Sequence, residues 1–164
     1  MKKLVWFVAT LAMLVVLAPR HADAADYVGS KKCKMCHKNA FTAWEGSKHA
    51  QAFATMEKEG ATGKPECVKC HTTGYAGSGA VTEDQKNVGC ERCHGPGSGY
   101  MKLMMKKATY TTEAAQAAGL ILPGKDGKFC TDNCHNSQSP NFKPFNFEER
   151  WGQIKHELDK PRAH

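Results

Sequence analysis

The chain lacks an apolar run long enough to span a bilayer. The run from Leu4 to Ala18 is about 15 residues, short of the ~20 that a spanning helix needs. No phosphate-binding loop is present, and no nucleophile–base pair suggests hydrolytic or transfer chemistry. There is no arginine cluster and no nucleic-acid motif. No stretch alternates convincingly as a β-strand, which leaves helices and loops. Apart from short motifs described below, no internal repeat is seen. Finally, no cysteine stands alone, so the chain carries no leftover thiol of the kind that pairs between molecules.

What is present is four cysteine pairs, each followed at once by histidine. They are Cys33/Cys36 with His37, Cys67/Cys70 with His71, Cys90/Cys93 with His94, and Cys130/Cys134 with His135. C-x-x-C-H is the attachment signature of c-type haem. The two thiols add to the porphyrin vinyl groups, and the adjacent histidine becomes the proximal iron ligand. The fourth site departs from the rule, with Thr131, Asp132 and Asn133 between its cysteines. A loop bulged by one residue can still present both sulfurs. Four disulfides would not explain a histidine after every second cysteine. Zinc ribbons seldom place histidine there. A thioredoxin-like redox pair needs a βαβ context that is missing.

The N-terminus fits this reading. Lys2 and Lys3 precede the apolar run, and Ala22-Asp23-Ala24 forms an A-x-A cleavage pattern. Residues 1–24 are expected to be a cleaved signal peptide, with no cysteine near the cleavage point for a lipid anchor. Residues 25–164 are expected to form a single tetrahaem domain, delivered to the periplasm, with no integral membrane segment after cleavage. About 140 residues for four haems is roughly 35 each, too few for a conventional core as well. Much of the apolar interior would be porphyrin.

Charge agrees. The chain is +7 overall, and loss of Lys2, Lys3, Arg20 and Asp23 leaves +5. Ionised propionates on four haems would contribute about −8 and bring the total to about −3. The basic sequence is therefore no argument for nucleic-acid binding. The lysines offset propionates.

Spacing and capping residues predict short helices. One covers Asn39 to Glu45, and a second, capped by Ser47, runs to about Glu59 and ends at Gly60. His49, Ala52, Phe53 and Met56 share one face of the second. A helix is expected around Tyr100 to Lys107, and another from Thr111 or Thr112 through Ala118, stopped by Gly119. Gly74 to Gly79 reads as a loop or hairpin. Asn146, with Glu149 at the third position, caps a last helix to about Leu158. The fold class is thus mainly α: short helices and loops wrapped around four covalently bound c-type haems, with little or no β.

Three histidines remain for the far faces of the irons: His49, His156 and His164. Alanines and Phe53 around His49 suit a flat macrocycle lying on the helix. His156 points away from the Trp151, Ile154 and Leu158 stripe, with Gly152 one turn earlier on its own face. His164 is the last residue, where chains fray, and is read as unligated.

At these residues the chain resembles the cytochrome c-554 family, tetrahaem electron carriers first known from ammonia oxidisers. The likeness rests on Gly29-Ser30-Lys31-Lys32-Cys33-Lys34-Met35-Cys36-His37-Lys38, on Trp44 followed by Ser47-Lys48-His49-Ala50, on the second site with Gly74-Tyr75, and on Val88-Gly89-Cys90-Glu91-Arg92-Cys93-His94-Gly95-Pro96-Gly97. It covers nearly all of 25–164, more loosely in the last third. The resemblance implies that His49 is the distal ligand of the third haem and His156 that of the fourth. It implies an open second haem, and stacking of first with third and second with fourth. The family's first haem takes a histidine shortly after the third site. This sequence has Tyr100, Met101, Met104 and Met105 there instead. A thioether binds haem iron and raises its potential, and Met104 is the selected ligand, with Met101 and Met105 as alternatives or plain packing as the rival.

The expected function is a periplasmic multihaem c-type cytochrome that carries electrons between redox protein donors and acceptors. The rival is a haem enzyme acting on nitric oxide, nitrite, hydroxylamine or peroxide at an open iron. No distal histidine or arginine is evident for that chemistry. A filament former would need a distal histidine donated between subunits, for which only His164 is available.

Overall fold

The computed structural model describes residues 25–77, 79–106 and 109–156. The expected signal peptide, the Leu158 helix end and His164 lie outside them. The described chain forms nine short α-helices joined by turns. They are α1 Ser30–Cys33, α2 Lys38–Glu45, α3 Ala52–Lys58, α4 Pro65–His71, α5 Cys90–His94, α6 Ser98–Met105, α7 Thr112–Ala117, α8 Lys128–Asn133 and α9 Phe147–Trp151. Three-ten turns cover Lys48–Gln51 and Glu83–Gln85. Among the described residues there is no strand, only one isolated antiparallel bridge between Thr72 and Lys86. The mainly helical expectation holds.

Helix ends follow local chemistry. Thr111, of the two candidates, caps α7 by accepting a hydrogen bond from the Ala114 N–H at 3.1 Å. Asn146 caps α9, accepting from the Glu148 and Glu149 N–H groups. After α3, Gly60 turns left-handed at φ 60°. The Ala61 N–H then reaches the Met56 carbonyl and the Gly60 N–H that of Glu57. Gly119 does the same for α7, with Leu120 bonded back to Ala115. In both turns the residue after the glycine buries its side chain near the helix it has just left.

Two expectations need correction. Ser47 stands before the predicted second helix, but its hydroxyl donates back to the Trp44 carbonyl at 2.6 Å instead of capping forward. Its segment accordingly starts as a three-ten turn and becomes α-helical only at Ala52. The last helix stops at Trp151 rather than continuing, because Ile154 and Lys155 both bond to the Trp151 carbonyl and tighten the chain after Gly152. His156 is therefore off the helix, and the face argument used for it does not apply.

The protein-only core is small, as expected for a chain this rich in haem motifs. One cluster holds Phe53, Met56, Ala61 and Val68. The other holds Tyr100, Ala115 and Leu120, between α6 and α7. The segment 86–90 ties the first cluster to its neighbours. The Trp44 indole donates to the Val88 carbonyl, the Val88 N–H donates to the His49 carbonyl, and Asn87 Oδ1 accepts from the Phe53 N–H. Thr73 completes the grip, donating to the Asn87 carbonyl and accepting from the Gly89 N–H.

Candidate functional site

Each cysteine–histidine motif lies in a helix or runs out of the end of one. The second and third lie inside α4 and α5. The first is closed by a hydrogen bond from the His37 N–H to the Cys33 carbonyl at 2.9 Å. The stretched fourth site forms the same bond, His135 N–H to Cys130 carbonyl, also at 2.9 Å. Its extra residue is taken up where α8 ends. There Cys134 leaves helical geometry at φ −143°.

None of the eight cysteines forms a disulfide. Among the described residues no three histidine, cysteine or acidic side chains converge to hold a metal ion by themselves. Thiols of different motifs do meet. Cys33 lies within hydrogen-bond reach of Cys90, and Cys70 within reach of Cys134. Cys130 acts electrostatically on Cys93, whose thiol burial pushes up to about 11. The hydrogen bond from Cys33 lowers Cys90 to about 7. These neighbours join the first motif to the third, the second to the fourth, and the third to the fourth.

The histidines are set for metal binding through Nε2. His71 Nδ1 lies 2.8 Å from the Ala52 carbonyl, and His94 Nδ1 lies 3.0 Å from the Ile121 carbonyl. A carbonyl only accepts, so each Nδ1 carries the proton and each Nε2 lone pair is free. His135 instead stacks on Phe145, with centroids 4.1 Å apart. Burial lowers the pKa of His49, His94 and His135, which keeps these imidazoles neutral and able to ligate.

Two ring pairs stand out. His49 and His135 have centroids 6.2 Å apart, and His94 and His156 have centroids 5.9 Å apart. A metal–imidazole bond is about 2.0 Å, and the ring centre lies ~1.1 Å beyond the nitrogen, so two imidazoles flanking one ion have centroids about 6 Å apart. The residues thus fit an iron held between two histidines at the third and fourth motifs. The pairing differs from the one implied by resemblance: His49 faces the fourth motif, not the third, and His156 the third, not the fourth. The His49 segment is held by the hydrogen bond from the Val88 N–H to the His49 carbonyl, and the His94 ring by the Ile121 carbonyl. Among the described residues His71 forms no such pair.

Residues 32–95 match the family described as cytochrome c554 and c-prime. Over 137 residues the chain is 31% identical to cytochrome c-554 of Nitrosomonas europaea, which covers 70% of this chain and 57% of that protein. The chain belongs to the cytochrome c554 family. It therefore spans little more than half the length of the curated relative. The fold also resembles the reduced state of cytochrome c554 from Nitrosomonas europaea, with TM-score 0.58 and 23% identity over 83% of this chain and 81% of that one. Membership of the c554 family implies covalently bound haem c, and the motifs above are where it would be held.

Met104, the selected ligand for the first motif, lies on α6, partly buried against Tyr100, Ala115 and Leu120. Helix α6 does reach the first motif: Tyr100 feels the charges of Cys33, Glu91 and Cys90, though burial is the larger cause of its raised pKa. Met105 is 63% exposed and Met101 is half-buried. The sequence reading missed three contributors. They are the backbone carbonyls of Ala52 and Ile121, which orient His71 and His94, and the buried carboxylate of Glu91. Carbonyls carry no side-chain signal, and an acidic residue inside a haem motif reads as exposed.

Proposed function

We propose that this chain is an exported periplasmic cytochrome that carries electrons between redox protein partners, with haem c attached at four sites. Haem supplies one-electron chemistry. The chain's own residues hold, orient and space it. Cys33/Cys36, Cys67/Cys70, Cys90/Cys93 and Cys130/Cys134 provide the thioether sulfurs, and His37, His71, His94 and His135 the proximal nitrogens. His49 closes the fourth site and His156 the third. The second has no distal histidine, and α6 contributes Met104 to the first.

The observation that carries this reading is the pair of imidazole couples near 6 Å, each joining a motif histidine to one from outside the motifs. Two filled axial positions suit an electron carrier, because saturated iron resists binding of small substrates. The thiol neighbours place the motifs beside one another, which short-range transfer between centres requires.

No helix among the described residues is long and apolar enough to cross a membrane. Export rests on the Lys2/Lys3, apolar-run and A-x-A pattern. The test is a pyridine haemochrome assay on protein produced with its leader in a host that attaches haem c. Four haems per chain, on a chain beginning near Ala25, support the reading. Fewer than four, or an uncleaved leader, would contradict it.

A further inference from the structure

Glu91 lies inside the third motif, yet it is only 2% exposed. Its Oε1 accepts from the Val28 N–H at 2.8 Å and the Gly97 N–H at 2.6 Å. Its Oε2 accepts from Val28 at 3.1 Å and Gly29 at 2.8 Å. Both oxygens act only as acceptors, the pattern of an ionised carboxylate. None of the ion pairs among the described residues includes it. Backbone dipoles alone hold this buried charge.

Its position joins two motifs. Val28 and Gly29 lead directly into α1, which carries Cys33, and Gly97 follows His94 by one turn. The carboxylate acts electrostatically on both Cys33 and Cys90. The close fit leaves no room for variation, since a Cβ on Gly97 would lie 2.9 Å from both Glu91 Oε1 and Val28 Cγ2.

We propose that Glu91 is a positioning residue that locks the first and third haem sites together and holds both at lower reduction potential than a neutral residue would. This rests on the four-haem reading. Adding an electron beside a fixed negative charge is disfavoured, and more so where water is excluded. The charge therefore favours the oxidised state of both neighbouring sites. A tether built of neutral groups would position the two segments without that effect.

The experiment uses the holoprotein. The haemochrome count on the wild type comes first, and a count below four fails the parent reading independently of Glu91. Spectroelectrochemical titration then compares wild type, Glu91→Gln and Glu91→Asp. Gln preserves size and the Oε1 bonds but removes the charge. Two of the four potentials are expected to rise in Glu91→Gln, with the other two unmoved. Asp keeps the charge with shorter reach, so it is expected to leave all four potentials in place while melting lower. Unchanged potentials in a folded Glu91→Gln protein overturn the proposal, as does an equal shift at all four. Should the Gln variant fail to mature, the Asp variant still decides: raised potentials there overturn the charge role, and retained potentials with a lowered melting temperature support it.

Discussion

The imidazole rings of His49 and His135 lie with their centroids 6.2 Å apart, although 86 positions separate them in the chain. That spacing fits two partly buried imidazoles, their pKa values lowered by burial, on either side of one ion. His94 and the exposed His156 show a similar spacing, with centroids 5.9 Å apart.

Replacing His49 by alanine is expected to convert one iron in about four from low to high spin, seen by electron paramagnetic resonance. The same substitution in a chain that also lacks Cys130 and Cys134 is expected to cause no further conversion. If His49→Ala still creates a high-spin iron there, His49 serves another site.

His156→Ala is expected to act in the same way on the third site, and to be silent in a chain lacking Cys90 and Cys93. Because His156 is exposed, its loss is expected to change spin state with little change in melting temperature.

Met104→Ala is expected to open the first iron and also to loosen the Tyr100–Ala115–Leu120 cluster, at about 2 kcal/mol. An unchanged spin count with a lowered melting temperature would assign Met104 to packing alone.

Acid is expected to destabilise the protein. Burial depresses the pKa of His49, His94 and His135 from 6.5 in the fold. Below that value the unfolded chain binds protons that the fold refuses, so stability is full above it and falls as pH drops toward the depressed values. Ligation to iron has the same sign, since metal and proton compete for one nitrogen. Melting temperatures at about pH 7.5 and about pH 5.5 check this, with the lower value expected in acid.

Gly95→Ala is expected to cost about 2 kcal/mol or more. Gly95 sits at φ 75°, and a Cβ there would lie 2.4 Å from the Gly119 carbonyl oxygen. Calorimetry of the holoprotein is the check, and a melting temperature equal to wild type would show that the His94–Gly97 turn can move away from Gly119.

The sequence made the attachment sites legible because thioether chemistry demands fixed spacing on one turn. Capping residues such as Thr111 and Asn146 were legible for the same local reason. The distal pairing was not. The ring contact of His49 with His135 joins segments far apart in the chain, as do the bonds from Val88 to the His49 carbonyl and between His94 and Ile121. The end of α9 was missed because Gly152 and the tightened turn after it outweigh the apolar spacing of Trp151, Ile154 and Leu158. Glu91 was passed over because its burial is decided by the backbone of residues 28, 29 and 97.

The most direct measurement is a low-temperature electron paramagnetic resonance spectrum of the fully oxidised wild-type protein, with spins counted against total iron. The account predicts low-spin signals from the two histidine-paired sites and the first site, with about one iron in four high-spin at the second. High-spin iron at three or four sites would mean that His49 and His156 do not ligate, and would contradict the account at its centre.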